Sequence, residues 1–185
     1  MAHLIARSWM IGIAALVSVF AGPVLAQFPA RPIRIVVPFP AGSATDVVAR
    51  ILGQSVSAAI GQAVLIDNKA GADGAIAGSE VMNAAPDGYT LLMATNSPMS
   101  VVPAMRKIPP YDPVTDFSPV TDIGRYTFFL YANAGAPFKT LQELIAHAKA
   151  NPGKLNYATG NTTGIASFAQ MNALAGIDID RKSVV

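Results

Sequence analysis

The hydrophobic positions of this chain change period several times, and each change marks an element. Trp9 to Ala21 is an apolar run interrupted only by Gly12 and Ser18, preceded by basic Arg7 and followed by Pro23-Val24-Leu25-Ala26. At about 13 residues the run falls short of the roughly 20 that span a bilayer. With small residues at Val24 and Ala26, it predicts a signal peptide over 1–26, cleaved before Gln27. Beyond it, Ile33–Val37 is short and β-branched, a buried strand, and 38–43 is a turn. From Thr45 to Ile60 the period becomes helical, placing Val47, Val48, Ile51, Leu52, Val56, Ala59 and Ile60 on one face, with Gly61 at the left-handed closing position. A second strand at 64–66 leads through Gly71-Ala72-Asp73-Gly74 into an alanine-rich helix over 75–85, and a third strand follows at 89–94. Thr95-Asn96-Ser97-Pro98 breaks that strand, and 108–124, rich in proline and aspartate, is an irregular crossing.

After the crossing the pattern resumes. A strand is expected at 127–131, with Tyr126, Phe128, Phe129 and Tyr131 alternating into a core. Thr140-Leu141-Gln142-Glu143 is a capping box that opens a helix to Ala150, and Asn151-Pro152-Gly153 stops it. A strand at 154–157, a polar turn at 158–163 and a helix at 164–174 complete the series. Alternating strands and helices predict an α/β fold with a largely parallel sheet. The break divides it into a first lobe over 27–124 and the start of a second over 125–179. Ligands in open α/β sheets sit beyond the carboxyl ends of the strands, which directs attention to the turns after Val37, Ala94 and Tyr157.

Composition narrows the chemistry. Of 185 residues 52% are hydrophobic and 13% charged, which excludes disorder. The net charge of +2, with basic pairs only at Arg106-Lys107 and Arg181-Lys182, argues against a nucleic-acid partner. Cysteine is absent, so disulfides, thiolate chemistry and a lipid anchor after the leader are excluded. His3 leaves with the leader and His147, expected to be an exposed helical side chain, has no neighbouring ligand type, so no metal site is expected. The glycines at 71, 74 and 78 miss the dinucleotide spacing, and no phosphate loop is present, so no cofactor is expected. Ser43 lacks a nearby histidine base and a nucleophile elbow; the chain is not read as an enzyme.

One family resemblance runs through nearly all of this. Arg31-Pro32-Ile33-Arg34-Ile35-Val36-Val37-Pro38-Phe39-Pro40-Ala41-Gly42, followed by Asp46 and Ala49-Arg50, resembles the opening of Bug-type receptors, the solute-binding subunits of tripartite tricarboxylate transporters. The likeness continues at Gly61-Gln62, Asp67-Asn68-Lys69-Ala70-Gly71-Ala72, Pro86-Asp87-Gly88-Tyr89-Thr90-Leu91-Leu92, Tyr111-Asp112-Pro113, Asp116-Phe117 and Ala150-Asn151-Pro152-Gly153-Lys154-Leu155. It implies a type II periplasmic-binding fold whose two lobes close on a small carboxylate: a dicarboxylate, a tricarboxylate, an acidic amino acid or an aromatic acid. It also implies membrane transporter subunits as partners, and a monomer is expected. The alternative is a periplasmic module that signals to a sensor protein.

Family members grip the carboxylate through the turn after the first strand and the facing turn of the second lobe. The matching residues here are Phe39, Pro40, Ala41, Gly42, Ser43 and Asp46, opposed by Thr159, Gly160, Asn161, Thr162, Thr163, Gly164 and Ser167, with Thr95, Asn96 and Ser97 as a third wall. Independently of any family, a helix start presents unpaired amides and about half a positive charge, so it holds an anion without a cationic side chain. Asp46 would repel a carboxylate; it is read as a cap or lobe organiser, or as a partner for a ligand's amino group. Where the family often has two glycines after the alanine this chain has Gly42-Ser43, and its second turn is bulkier, so ligand identity does not transfer. The family also continues well past Ile179. Residues 180–185 do not match its next segment and read like a translated sequencing adapter, so a truncated second lobe and a non-native tail are expected.

Overall fold

The computed structural model describes residues 28–182. The expected signal peptide lies outside the described residues. Strand β1 (Ile33–Val37) is the centre of a three-stranded sheet, with β2 (Val64–Asn68) on one side and β3 (Thr90–Leu92) on the other, both parallel to it. The register sets Ile35 opposite Ile66 and Leu91. Ladder bonds continue past the strand ends, Lys69 N–H to the Val37 carbonyl at 2.8 Å and Met93 N–H to Val36 at 2.9 Å. Parallel strands need crossovers; here they are α1 (Ala44–Ile60) and α2 (Ala75–Met82), and the sheet lies between them.

Helix α1 packs differently from its hydrophobic period. Val47, Val48 and Ile51 face solvent, and the buried stripe is Asp46, Ala49 and Gly53. A side chain on Gly53 would meet Ile66 Cδ1 at 3.2 Å and Val64 Cγ1 at 3.3 Å, so small residues are what let the helix lie close on β2. Ile35, Val37, Ala49 and Met93 form the core beneath it, bordered by Val64, Ile66 and Leu91. The opposite face carries Arg34, paired with Asp67 at 2.9 Å and with Glu80 of α2 at 2.5 Å.

Two expectations fail beyond β3. Ser97–Val101 forms a single wide helical turn that runs into α3 (Val102–Met105), where sequence indicated only a break. Pro98 and Pro103 hide this helix in sequence, yet both sit in first turns, where a missing N–H costs nothing. The expected strand at 127–131 does not form. A strand needs a neighbour to pair with, and this stretch has none among the described residues. Tyr126, Phe128, Phe129 and Tyr131 are accordingly exposed instead of buried.

A second, separate core follows. Helix α4 (Leu141–Ala150) opens with the expected box: Thr140 Oγ1 accepts from Glu143 N–H, and the Glu143 carboxylate accepts from Thr140 N–H. Strand β4 (Asn156–Tyr157), helix α5 (Thr162–Ala175) and strand β5 (Asp180–Arg181) complete the unit, with β4 and β5 parallel. Leu144, Ala148 and Ile179 are its buried centre, and the Tyr157 ring stacks on Phe168 at 3.8 Å. His147 is half-buried, not exposed, with its ring against Phe138. Among the described residues no helix is long and apolar enough to cross a membrane.

Candidate functional site

The turn after β1 is organised around a buried carboxylate. Asp46, 2% exposed, accepts from Gly42 N–H at 2.8 Å, Arg50 Nε at 2.9 Å and Asn68 Nδ2 at 2.9 Å. Asn68 also donates to the Phe39 carbonyl at 3.0 Å and accepts from the Arg50 guanidinium at 3.0 Å. The bond from Arg50, then those from Gly42 and Asn68, hold the Asp46 carboxyl at about 2 against its ordinary 3.8. Both ends of the turn, Phe39 and Gly42, are thereby tied to one ring of hydrogen bonds. Pro40 and Ala41 between them, and Gly42 itself, remain exposed.

Helix α1 starts from Ser43, whose Oγ accepts from Asp46 N–H at 3.3 Å. Val47 N–H goes to the Ser43 carbonyl. That leaves the amides of Ala44 and Thr45 without an acceptor among the described residues, as the first turn of any helix leaves its leading N–H groups. Helix α5 repeats the arrangement. Asn161 Oδ1 accepts from Gly164 N–H at 2.9 Å, the Asn161 carbonyl takes Ile165 N–H, and the amides of Thr162 and Thr163 stay open. Capping by Asn161 also explains why α5 begins two residues before Gly164, where the hydrophobic period starts.

The third turn joins the other two. Ser97, 2% exposed, has its Oγ 3.0 Å from Thr163 Oγ1, a hydroxyl pair linking residues 66 apart in sequence. Towards the first turn the link is Gly74. A Cβ there would sit 3.0 Å from Pro38 Cβ and 3.0 Å from Pro98 Cβ, so the prolines that open the first turn and follow Ser97 meet over a bare glycine. Its φ of 92° also favours glycine. Tyr111, from the irregular crossing, donates its hydroxyl to the Pro98 carbonyl at 2.7 Å. The Asn96 side chain accepts from the Tyr126 hydroxyl.

The hydroxyls of Thr95 and Thr162 are buried without a partner among the described residues. Thr159 and Gly160 lie on the approach to α5, and Gly164 is free of a side chain where the Thr159 hydroxyl sits. Ser167 is one turn further along α5, exposed, in an open apolar groove with Ile145, Met171 and Leu174. Four participants were missed from sequence: Arg50, Asn68, Gly74 and Tyr111. Gly74 stood in a glycine-rich stretch, and Asn68 followed a strand end directly, but nothing local marked Tyr111 as a long-range prop. Among the described residues no group of His, Asp and Glu is arranged to hold a metal.

Parallel α/β units with two separate cores and open helix starts are the plan of a type II periplasmic solute-binding fold. Residues 48–179 match the family described as "Tripartite tricarboxylate transporter family receptor", and the chain belongs to it. It is similar to a Cupriavidus necator protein called "UPF0065 protein in gbd 5'region", 41% identical over 85% of this chain and 48% of that one. It is also similar to Protein BugT of Bordetella pertussis, 39% identical over 80% of this chain and 46% of the relative. A Rhodopseudomonas palustris protein solved with adipate superposes with a TM-score of 0.78 and 32% identity, covering 84% of this chain and 53% of its own. MatC from the same species, solved with bound malate, gives 0.68 and 30%, covering 85% and 54%. The chain thus spans about half the length of the relatives it matches.

Proposed function

We propose that the protein captures a small carboxylate in the periplasm and delivers it to the membrane subunits of a tripartite tricarboxylate transporter, working as a monomer and without catalysing a reaction. Residues 27–124 would form most of one lobe and 125–179 the start of the other, with 1–26 removed on export. The observation that carries this reading is the matched pair of helix starts, Ala44-Thr45 and Thr162-Thr163, each with two open amides and a capping side chain that leaves them free. Aligned peptide dipoles place about half a positive charge at each start, enough to attract a carboxylate where the turns carry no cationic side chain of their own. The adipate- and malate-bound relatives support the ligand class. A thermal-shift screen of the full-length protein, followed by calorimetry, should find a diacid or aromatic acid that binds and its neutral amide that does not. Binding of the amide as tightly as the acid would overturn the reading.

A further inference from the structure

We infer that Ser97 and Thr163 form a latch between the two lobes, which sets how often the cleft is closed before any ligand arrives; this rests on the two-lobed arrangement in the proposed function. Among the described residues, hydrogen bonds pass from 28–124 to 125–182 at two adjacent positions. Ser97 Oγ lies 3.0 Å from Thr163 Oγ1, and the Asn96 side chain accepts from the Tyr126 hydroxyl. The second bond reaches the stretch that carries the chain from one core to the other. The first joins elements of the two units themselves, the wide turn Ser97–Val101 and the start of α5. Ion pairs among the described residues all fall between Arg31 and Asp87, so the bridge is made of neutral groups.

Each hydroxyl is set in place by its own unit. Ser97 is 2% exposed, and the neighbouring Pro98 sits over bare Gly74 while its carbonyl accepts from the Tyr111 hydroxyl at 2.7 Å. Thr163 stands in the first turn of α5, which Asn161 caps, and its branched Cβ restricts the side chain further. On opening, both hydroxyls exchange their bond for water, so the pair favours the closed form by only about two- to tenfold. That biases the lobes without locking them. A ligand that binds only the closed form has its apparent affinity scaled by the closed fraction.

Pulsed electron double resonance between nitroxide labels at Gln54→Cys on α1 and Lys149→Cys on α4, both exposed, reads the lobe separation in the ligand-free full-length protein. A short and a long distance are expected. Ser97→Ala and Thr163→Val should each lower the short-to-long ratio about two- to tenfold, and equally at low and high salt. The double variant should fall no further than either single one, and Thr163→Ser should leave the ratio unchanged. A single distance, an unmoved ratio in both single variants, or losses that multiply in the double variant would overturn the latch. So would a lowered urea midpoint with an unmoved ratio, the mark of a merely structural contact. No ligand enters these measurements, so a failed carboxylate screen would overturn the proposed function and leave this result standing.

Discussion

Gly78→Ala is expected to destabilise the protein, although alanine is the better helix former. Gly78 lies inside α2, where exchanging glycine for alanine normally gains about 1 kcal/mol. Here the added Cβ would stand 2.5, 2.6 and 2.7 Å from Cε1, Cζ and the hydroxyl oxygen of Tyr111. Ordinary contact begins at 3.4 Å, so the ring must retreat by about 0.9 Å. It has little room to do so, being 4% exposed, packed edge-on to Phe117 and fastened by its hydroxyl to the Pro98 carbonyl. Overpacking of this kind costs about 1–3 kcal/mol, and breaking the bond to Pro98 would add about 1–3 kcal/mol for a stranded carbonyl. Offset by the helix gain of about 1 kcal/mol, the net loss is about 1–5 kcal/mol. Urea unfolding of the full-length protein, followed by far-UV circular dichroism, reads it as a lower midpoint at constant slope. In a Tyr111→Leu background the clash is gone, and the same substitution should become neutral or stabilising. A neutral or stabilising effect of Gly78→Ala in the unaltered protein would refute the seating of Tyr111 on α2.

Gly74→Ala should cost about 1–3 kcal/mol in the same assay and weaken carboxylate binding, because its Cβ would force Pro38 and Pro98 apart at a left-handed backbone position. Thr140→Ala, which removes half of the capping box at α4, should cost about 1 kcal/mol without altering affinity, since that helix start is not at the site. Acid titration of stability should expose Asp46. Its folded pKa of about 2 lies below the ordinary 3.8, so its contribution is complete above about pH 5 and disappears as pH falls through 4 towards 2. The difference in urea midpoint between the unaltered protein and Asp46→Asn should therefore be constant above pH 5 and shrink below it; a difference that grows on acidification would contradict the assignment.

The order of strands and helices up to Leu92, and from Thr140 to Ala175, could be read from sequence because each element carried its own signal. Ile33–Val37 is β-branched at every position but Arg34, and Thr140 and Glu143 announce α4. What failed depended on partners far away in the chain. Thr127–Tyr131 has strand composition but no described neighbour to pair with, so its aromatics lie exposed. Helix α1 buries its small stripe because Ile66 and Val64 press against Gly53, which no period along the helix reveals. At the site the turns themselves were legible as small, hydroxyl-rich segments at strand ends. The props were not: Asn68, Gly74 and Tyr111 act through contacts with residues 13 or more positions away. For Asp46, only the three donors seen together show how its carboxylate ties the turn to α1 and β2.

A crystal structure of the full-length protein with its carboxylate bound tests the central claim most directly. Ligand oxygens are expected within about 3 Å of the Ala44 or Thr45 amide on one side and the Thr162 or Thr163 amide on the other, with Asp46 still turned to Gly42, Arg50 and Asn68. A carboxylate held instead by a lysine or arginine side chain, or lying away from both helix starts, would contradict it.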